Sequence, residues 1–69
     1  MTIRLNGDPY ELAGPMSVSA LLDALGIDSR RVAVELNLVV LKRAAFATTT
    51  IQAGDAMEIV NFVGGGATA

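Results

Sequence analysis

From Thr2 to Asn6 the chain alternates polar and apolar residues, with Ile3 and Leu5 on one side, the period of a half-buried strand. Asn6-Gly7-Asp8-Pro9 follows as a turn, because Asn and Gly tolerate positive φ and Pro presets its own. Tyr10–Ala13 resumes the alternation with Tyr10 and Leu12 on a shared face, so the N-terminal stretch predicts a β-hairpin. After the break at Gly14-Pro15 the period changes. Val18, Leu21, Leu22 and Leu25 fall at i, i+3, i+4 and i+7, one apolar stripe on a helix expected over Ser17–Leu25. Ser17 is placed to cap it, Met16 and Leu21 have the spacing of a hydrophobic staple, and Gly26 can end it in a left-handed conformation.

The second half reads as strands. Asp28-Ser29-Arg30-Arg31 is a polar connection into Val32–Leu36, where Val32, Val34 and Leu36 share one face. A tight turn at Asn37-Leu38 leads to a short strand, Val39–Leu41. Lys42–Thr50 has no period and reads as irregular, with Phe46 as a plug beneath it. Ala53-Gly54-Asp55 is a turn, and Met57–Val63 is a final strand rich in β-branched and aromatic residues. The order strand, strand, helix, then three strands predicts an α+β fold.

The end of the chain changes that picture most. If Met57 and Ile59 face the core, the period of two puts Glu58, Val60 and Phe62 on the other side. Val60 and Phe62 then form a candidate docking patch; the alternative is a central strand covered on both faces. Gly64-Gly65-Gly66 follows, three of the seven glycines in consecutive positions. Three extended residues reach roughly 10 Å, enough to carry a chain end into a narrow pocket. The expected division is a domain over residues 1–63 and a flexible tail over 64–69. No Lys or helix follows the glycines, so they are not a phosphate loop.

Composition removes most other chemistry. Sixty-nine residues with 52% hydrophobic side chains make one small domain. There is no Cys and no His, which excludes a disulfide framework, a thiolate metal site and imidazole acid–base catalysis. The net charge is −2, and the cations Arg4, Arg30, Arg31, Lys42 and Arg43 are scattered along the chain, which argues against nucleic acid or an anionic membrane as partner. The acidic residues read as solvated surface. An enzyme is not expected; a cytoplasmic protein, monomeric on its own, is.

The whole pattern resembles the ubiquitin-like β-grasp proteins, and within them the ThiS family of sulfur carriers. The residues that carry the resemblance are TIRLNGDPYEL, SVSALLDALG, VAVELN, Arg43 and AGDAMEIVNFVGGG, from Thr2 to Gly66. It implies a mixed sheet of about four to five strands with one main helix on one face. It also implies a role in making the thiazole of thiamine. In this family the terminal glycine carboxylate, here Gly66, is adenylated by a ThiF-like adenylyltransferase that uses ATP. A sulfur donor such as a cysteine desulfurase then converts it to a thiocarboxylate for thiazole synthase (ThiG-like). The chain itself would bind no cofactor, and Gly64 and Gly65 would be the flexible approach. The alternatives are a MoaD-like small subunit of molybdopterin synthase and a non-catalytic β-grasp interaction module.

Three features depart from the family pattern. Leu38 stands where Gly often follows the asparagine, which makes a positive-φ turn harder. Lys42 stands where Pro commonly precedes the arginine. Ala67-Thr68-Ala69 follows Gly66, so the carbonyl that would carry sulfur is held in a peptide bond. The three residues are either removed, or added in making the protein, or mark a copy inactive as a carrier; by analogy with ubiquitin-like precursors, removal is expected.

Overall fold

Asn6 and Gly7 both hold positive φ, 51° and 88°, in a computed structural model that describes residues 1–62. That two-residue turn matches the twist of its strands and folds β1 (Thr2–Leu5) onto β2 (Asp8–Glu11). The second strand thus begins at Asp8, earlier than the expected Tyr10. Pro9 is tolerated there because β2 lies at the edge of the sheet, where a missing N–H costs no ladder bond.

Helix α1 runs Val18–Ala24. The Ser17 hydroxyl accepts from the Ala20 N–H at 3.0 Å, as its position predicts. At the other end Gly26, φ 72°, gives its N–H to the Asp23 carbonyl, and Ile27 gives its own to Leu22. That pair of bonds closes the last turn. Val18, Leu21 and Leu22 are buried, and Leu25 packs against the same core.

Two short strands were not expected from the sequence. Met16–Ser17 (β3) pairs antiparallel with Thr50–Ile51 (β6) as a separate two-stranded sheet. The stretch read as irregular also holds a 3-10 turn at Arg43–Ala45. Its carbonyls finish the helix start: Phe46 accepts from Ser19 N–H and Thr49 from Val18 N–H, both at 3.0 Å. Phe46 is buried under this segment, as the plug expected of it.

The remaining strands are β4 (Val32–Leu36), β5 (Val39–Leu41) and β7 (Ala56–Asn61). The main sheet has the order β2-β1-β7-β4-β5, with β1 and β7 parallel and the other pairs antiparallel. Helix α1 covers one face, over Ile3, Val32, Val34 and Met57. This is the α+β, ubiquitin-like β-grasp architecture, a mixed five-stranded sheet with one helix. Val63, the glycines Gly64–Gly66 and the residues after them lie outside the described residues.

The β4–β5 turn forms despite Leu38. Asn37 and Leu38 hold φ of 53° and 70°, and Leu38 is 89% exposed, so no packing pulls it into that conformation. Asn37 holds the turn instead: its Nδ2 donates to Asp55 at 3.1 Å, and its Oδ1 accepts from the Ala56 N–H at 2.9 Å. A left-handed conformation costs a residue with a Cβ about 1–2 kcal/mol, less the chain entropy that glycine loses on folding. Leu38→Gly is therefore expected to stabilise the domain by about 0.5–1 kcal/mol, measured as a higher urea midpoint with an unchanged slope.

Candidate functional site

Strand β7 leads to the end of the described chain, and its register shows which elements surround that end. Asn61 lies opposite Val32, the first residue of β4, and the Phe62 N–H donates to the Arg31 carbonyl at 2.9 Å. Strand β5 runs antiparallel to β4, with Leu41 opposite Val34, so Lys42 and Arg43 leave β5 at this same end of the sheet. The chain end thus departs beside two dibasic pairs, Arg30-Arg31 and Lys42-Arg43.

The open face of the sheet, away from α1, is largely apolar near this exit. Met57 is buried on the helix side, so Glu58, Val60 and Phe62 take the other side. Val60 is 57% exposed and Phe62 is 53% exposed. Ala33 lies opposite Val60, and Val40 lies opposite Glu35 on the edge strand, adding apolar surface. Glu35 and Glu58 sit directly across from each other on this face, an arrangement that costs stability in a sheet. The structure thus exposes both residues named as the docking patch. The other named residues, Gly64, Gly65 and Gly66, lie outside the described residues.

Sequence reading missed the cationic cluster. The five cations are dispersed in order along the chain, yet four of them converge where β4 begins and β5 ends. The signal was available in the two dibasic pairs: an antiparallel hairpin with one pair before its first strand and one after its second brings them together. Arg43 Nη2 donates to the Arg30 carbonyl at 3.4 Å. Asp28 binds Arg30 through both carboxylate oxygens, Nε at 3.1 Å and Nη2 at 2.9 Å, and approaches Arg31 Nε at 3.8 Å. The Arg30 side chain and backbone N–H hold the Asp28 carboxyl at about 2, well below the usual aspartate range.

At the far end of the sheet the chemistry is sparse. Thr2 donates to Glu11 and keeps its carboxyl below the usual glutamate range, with help from the N-terminal ammonium. A depression of about 230 Å³ beside Thr2, Ile3, Arg4, Pro9 and Gly54 has Arg4 as its charged residue. Among the described residues no group of His, Cys, Asp or Glu is placed to hold a metal, and no helix is long and apolar enough to cross a membrane.

The model of the ThiS family matches residues 3–66, nearly the whole chain. The chain belongs to the ThiS family. The crystal structure of the thiamine biosynthesis protein (ThiS) of Geobacter metallireducens is similar to this ThiS-family chain, with a TM-score of 0.84 at 43% identity over 96% of this chain and all of that one. A thiazole synthase of Paramagnetospirillum magneticum is 44% identical over 66 residues, 96% of this chain but 20% of that protein. The uncharacterized protein ycf40 of Pyropia yezoensis is 39% identical over 66 residues, 96% of this chain and 93% of that one. This chain spans about a fifth of the length of the thiazole synthases it matches.

The Asp28 contacts give the exit end a pH dependence. Ionised Asp28 is favoured in the folded state, so its stabilisation is complete above the ordinary aspartate pKa of about 3.9 and is lost as pH falls towards about 2. Urea unfolding followed across that window should show stability falling with pH in the wild type, and falling less in Asp28→Asn. Glu11 contributes with the same sign, so the difference between the two proteins reads Asp28.

Proposed function

We propose that this chain carries sulfur for thiazole formation in thiamine biosynthesis, on the carboxylate of Gly66 once Ala67-Thr68-Ala69 has been removed. The observation that carries the reading is the extent of the family match, which closes on Gly66 and leaves the last three residues beyond it. The architecture supports it: the chain end leaves a central strand beside an exposed apolar patch, where a partner can grip the domain and receive its terminus.

The chemistry follows from what a carboxylate lacks. An ionised carboxylate resists nucleophilic attack, because it has no good leaving group. Attack by a Gly66 oxygen on the α-phosphorus of ATP expels pyrophosphate and makes AMP the leaving group. Sulfur supplied at the level of sulfide then adds to the carbonyl and expels AMP, leaving a thiocarboxylate. Glycine has no Cβ to crowd that carbonyl, and Gly64 and Gly65 add none along the approach. The adenylating enzyme supplies the ATP site, and a cysteine desulfurase is a suitable sulfur donor once two thiols, themselves oxidised to a disulfide, reduce its persulfide to the sulfide level. Consumption of ATP goes with a cytoplasmic location.

Thiazole synthase is the acceptor partner in this reading. In the Paramagnetospirillum and Magnetococcus relatives, a segment similar to this chain makes up 20% of a protein named thiazole synthase. A carrier held on the same polypeptide as its acceptor meets it at high effective concentration, which supports the pairing. Val60 and Phe62 form the docking patch for the adenylating enzyme, since both are exposed and lie next to the chain end.

Two measurements test this. The form ending at Gly66, incubated with the adenylating enzyme of its genome, ATP and a sulfur donor, should gain the oxygen-to-sulfur mass difference, and the form ending at Ala69 should gain it only after losing three residues. Absence of the gain in the Gly66 form would end the carrier reading. Replacing Val60 and Phe62 together with Ser should raise the Kd for the adenylating enzyme about tenfold or more, as expected for apolar anchors, while the unfolding midpoint stays near that of the wild type.

A further inference from the structure

The cationic cluster has no role in the transfer chemistry, and its placement calls for one. Arg30, Arg31, Lys42 and Arg43 are all exposed and lie at the end of the sheet from which the chain departs. The whole chain nevertheless carries a net charge of −2. With four of five cations at one end, the rest of the surface is strongly acidic: Glu11 and Asp55 lie towards the opposite end, and Glu35 and Glu58 on the open face. The domain is a charge dipole with its positive pole at the exit.

We propose that this positive pole docks onto an acidic protein surface of the adenylating enzyme, next to the opening that receives the chain end; this rests on the carrier reading above. An acidic rim repels most of the domain and attracts the exit end, so encounters begin with the terminus facing the site. The cluster is continuous with the Val60–Phe62 patch, because Phe62 is hydrogen-bonded to Arg31. One interface can therefore combine an apolar centre with a charged rim.

Protein carboxylates fit the cluster better than the phosphates of a nucleotide do. Asp28 already occupies the fork of Arg30 through both oxygens, and its negative charge sits among the cations. Arg30 and Arg31 converge only on the Asp28 carboxylate, which already fills that point, and their side chains are otherwise open to solvent, 77% and 82% exposed. A phosphate site needs converging donors. A rim of carboxylates on a facing protein needs only complementary charge over an area.

Association of the Gly66-ended form with the adenylating enzyme, followed by stopped flow at low salt and at about 0.15 M, tests this. Arg31→Glu and Lys42→Glu should each slow association several-fold at low salt, with a smaller effect at the higher salt and little change in dissociation. The Lys42 side chain makes no hydrogen bond or ion pair among the described residues, and its carbonyl bond to Ala45 N–H survives substitution, so its variant is insulated from folding defects. Arg4→Glu makes the same charge change away from the exit and should leave the rate within about twofold of the wild type. Equal slowing by all three variants, or by none, overturns the proposal. Slowing that appears only with ATP-loaded enzyme also overturns it, because the cations would then be meeting the nucleotide. If the wild type forms its thiocarboxylate while Arg31→Glu and Lys42→Glu associate as fast as Arg4→Glu, the docking proposal falls and the carrier reading stands. If the wild type neither binds nor gains sulfur, both fall.

Discussion

Strand β7 is hydrogen-bonded along both edges, parallel to β1 on one side and antiparallel to β4 on the other, and the arrangement of the exit end depends on that double pairing. A strand held on both sides cannot slip by one residue without turning its whole buried row to solvent. Met57 therefore stays under the helix while Val60 and Phe62 stay on the open face. The pairing with β1 spans only Arg4 and Leu5, and the Asn6 amide extends it. Its Oδ1 accepts from the Ile59 N–H at 2.7 Å and its Nδ2 donates to the Ile59 carbonyl at 3.2 Å, so a side chain continues a backbone ladder. Asn37 does comparable work at the start of β7, binding Ala56 and Asp55. Two turn asparagines thus fix the strand that delivers the chain end.

That constraint links the core to the proposed function. Helix α1 covers one face of the sheet and leaves the other bare, so the small domain has an apolar surface without needing a second layer. The direction of β7 puts Phe62, the last described residue, at the edge of that bare face. The antiparallel β4–β5 hairpin places both dibasic pairs at the same edge. An apolar grip, a charged rim and a departing terminus are brought together by strand direction alone, with no cleft or catalytic side chain required. This suits a carrier, whose chemistry is supplied by the enzymes it visits.

Much of this was legible in the sequence because the signals were local. The hairpin turn at Asn6-Gly7, the Ser17 cap, the Gly26 end and the helical stripe each depend on a few neighbouring residues, and the structure has them. The ThiS resemblance rested on segments spread across the chain, which is why it reached the right family. Strands β3 and β6 were not legible: two residues carry no period, and Met16–Ser17 and Thr50–Ile51 pair only because the connecting segment crosses the helix start. The Asn37-Leu38 turn formed against its propensity, since distant contacts to Ala56 and Asp55 compensate a local cost. The cationic cluster was read as scattered because sequence distance hides the ends of antiparallel strands.

The proposed docking surface is the exit end of the sheet, presented to an adenylating enzyme. Amide chemical-shift mapping of the labelled Gly66-ended form, titrated with that enzyme, tests it most directly. Changes should concentrate at Arg31, Ala33, Lys42, Arg43, Val60 and Phe62, with Thr2, Glu11 and Gly54 unmoved. Changes centred on β2, on the depression beside Pro9, or on the outer side of α1 would contradict it.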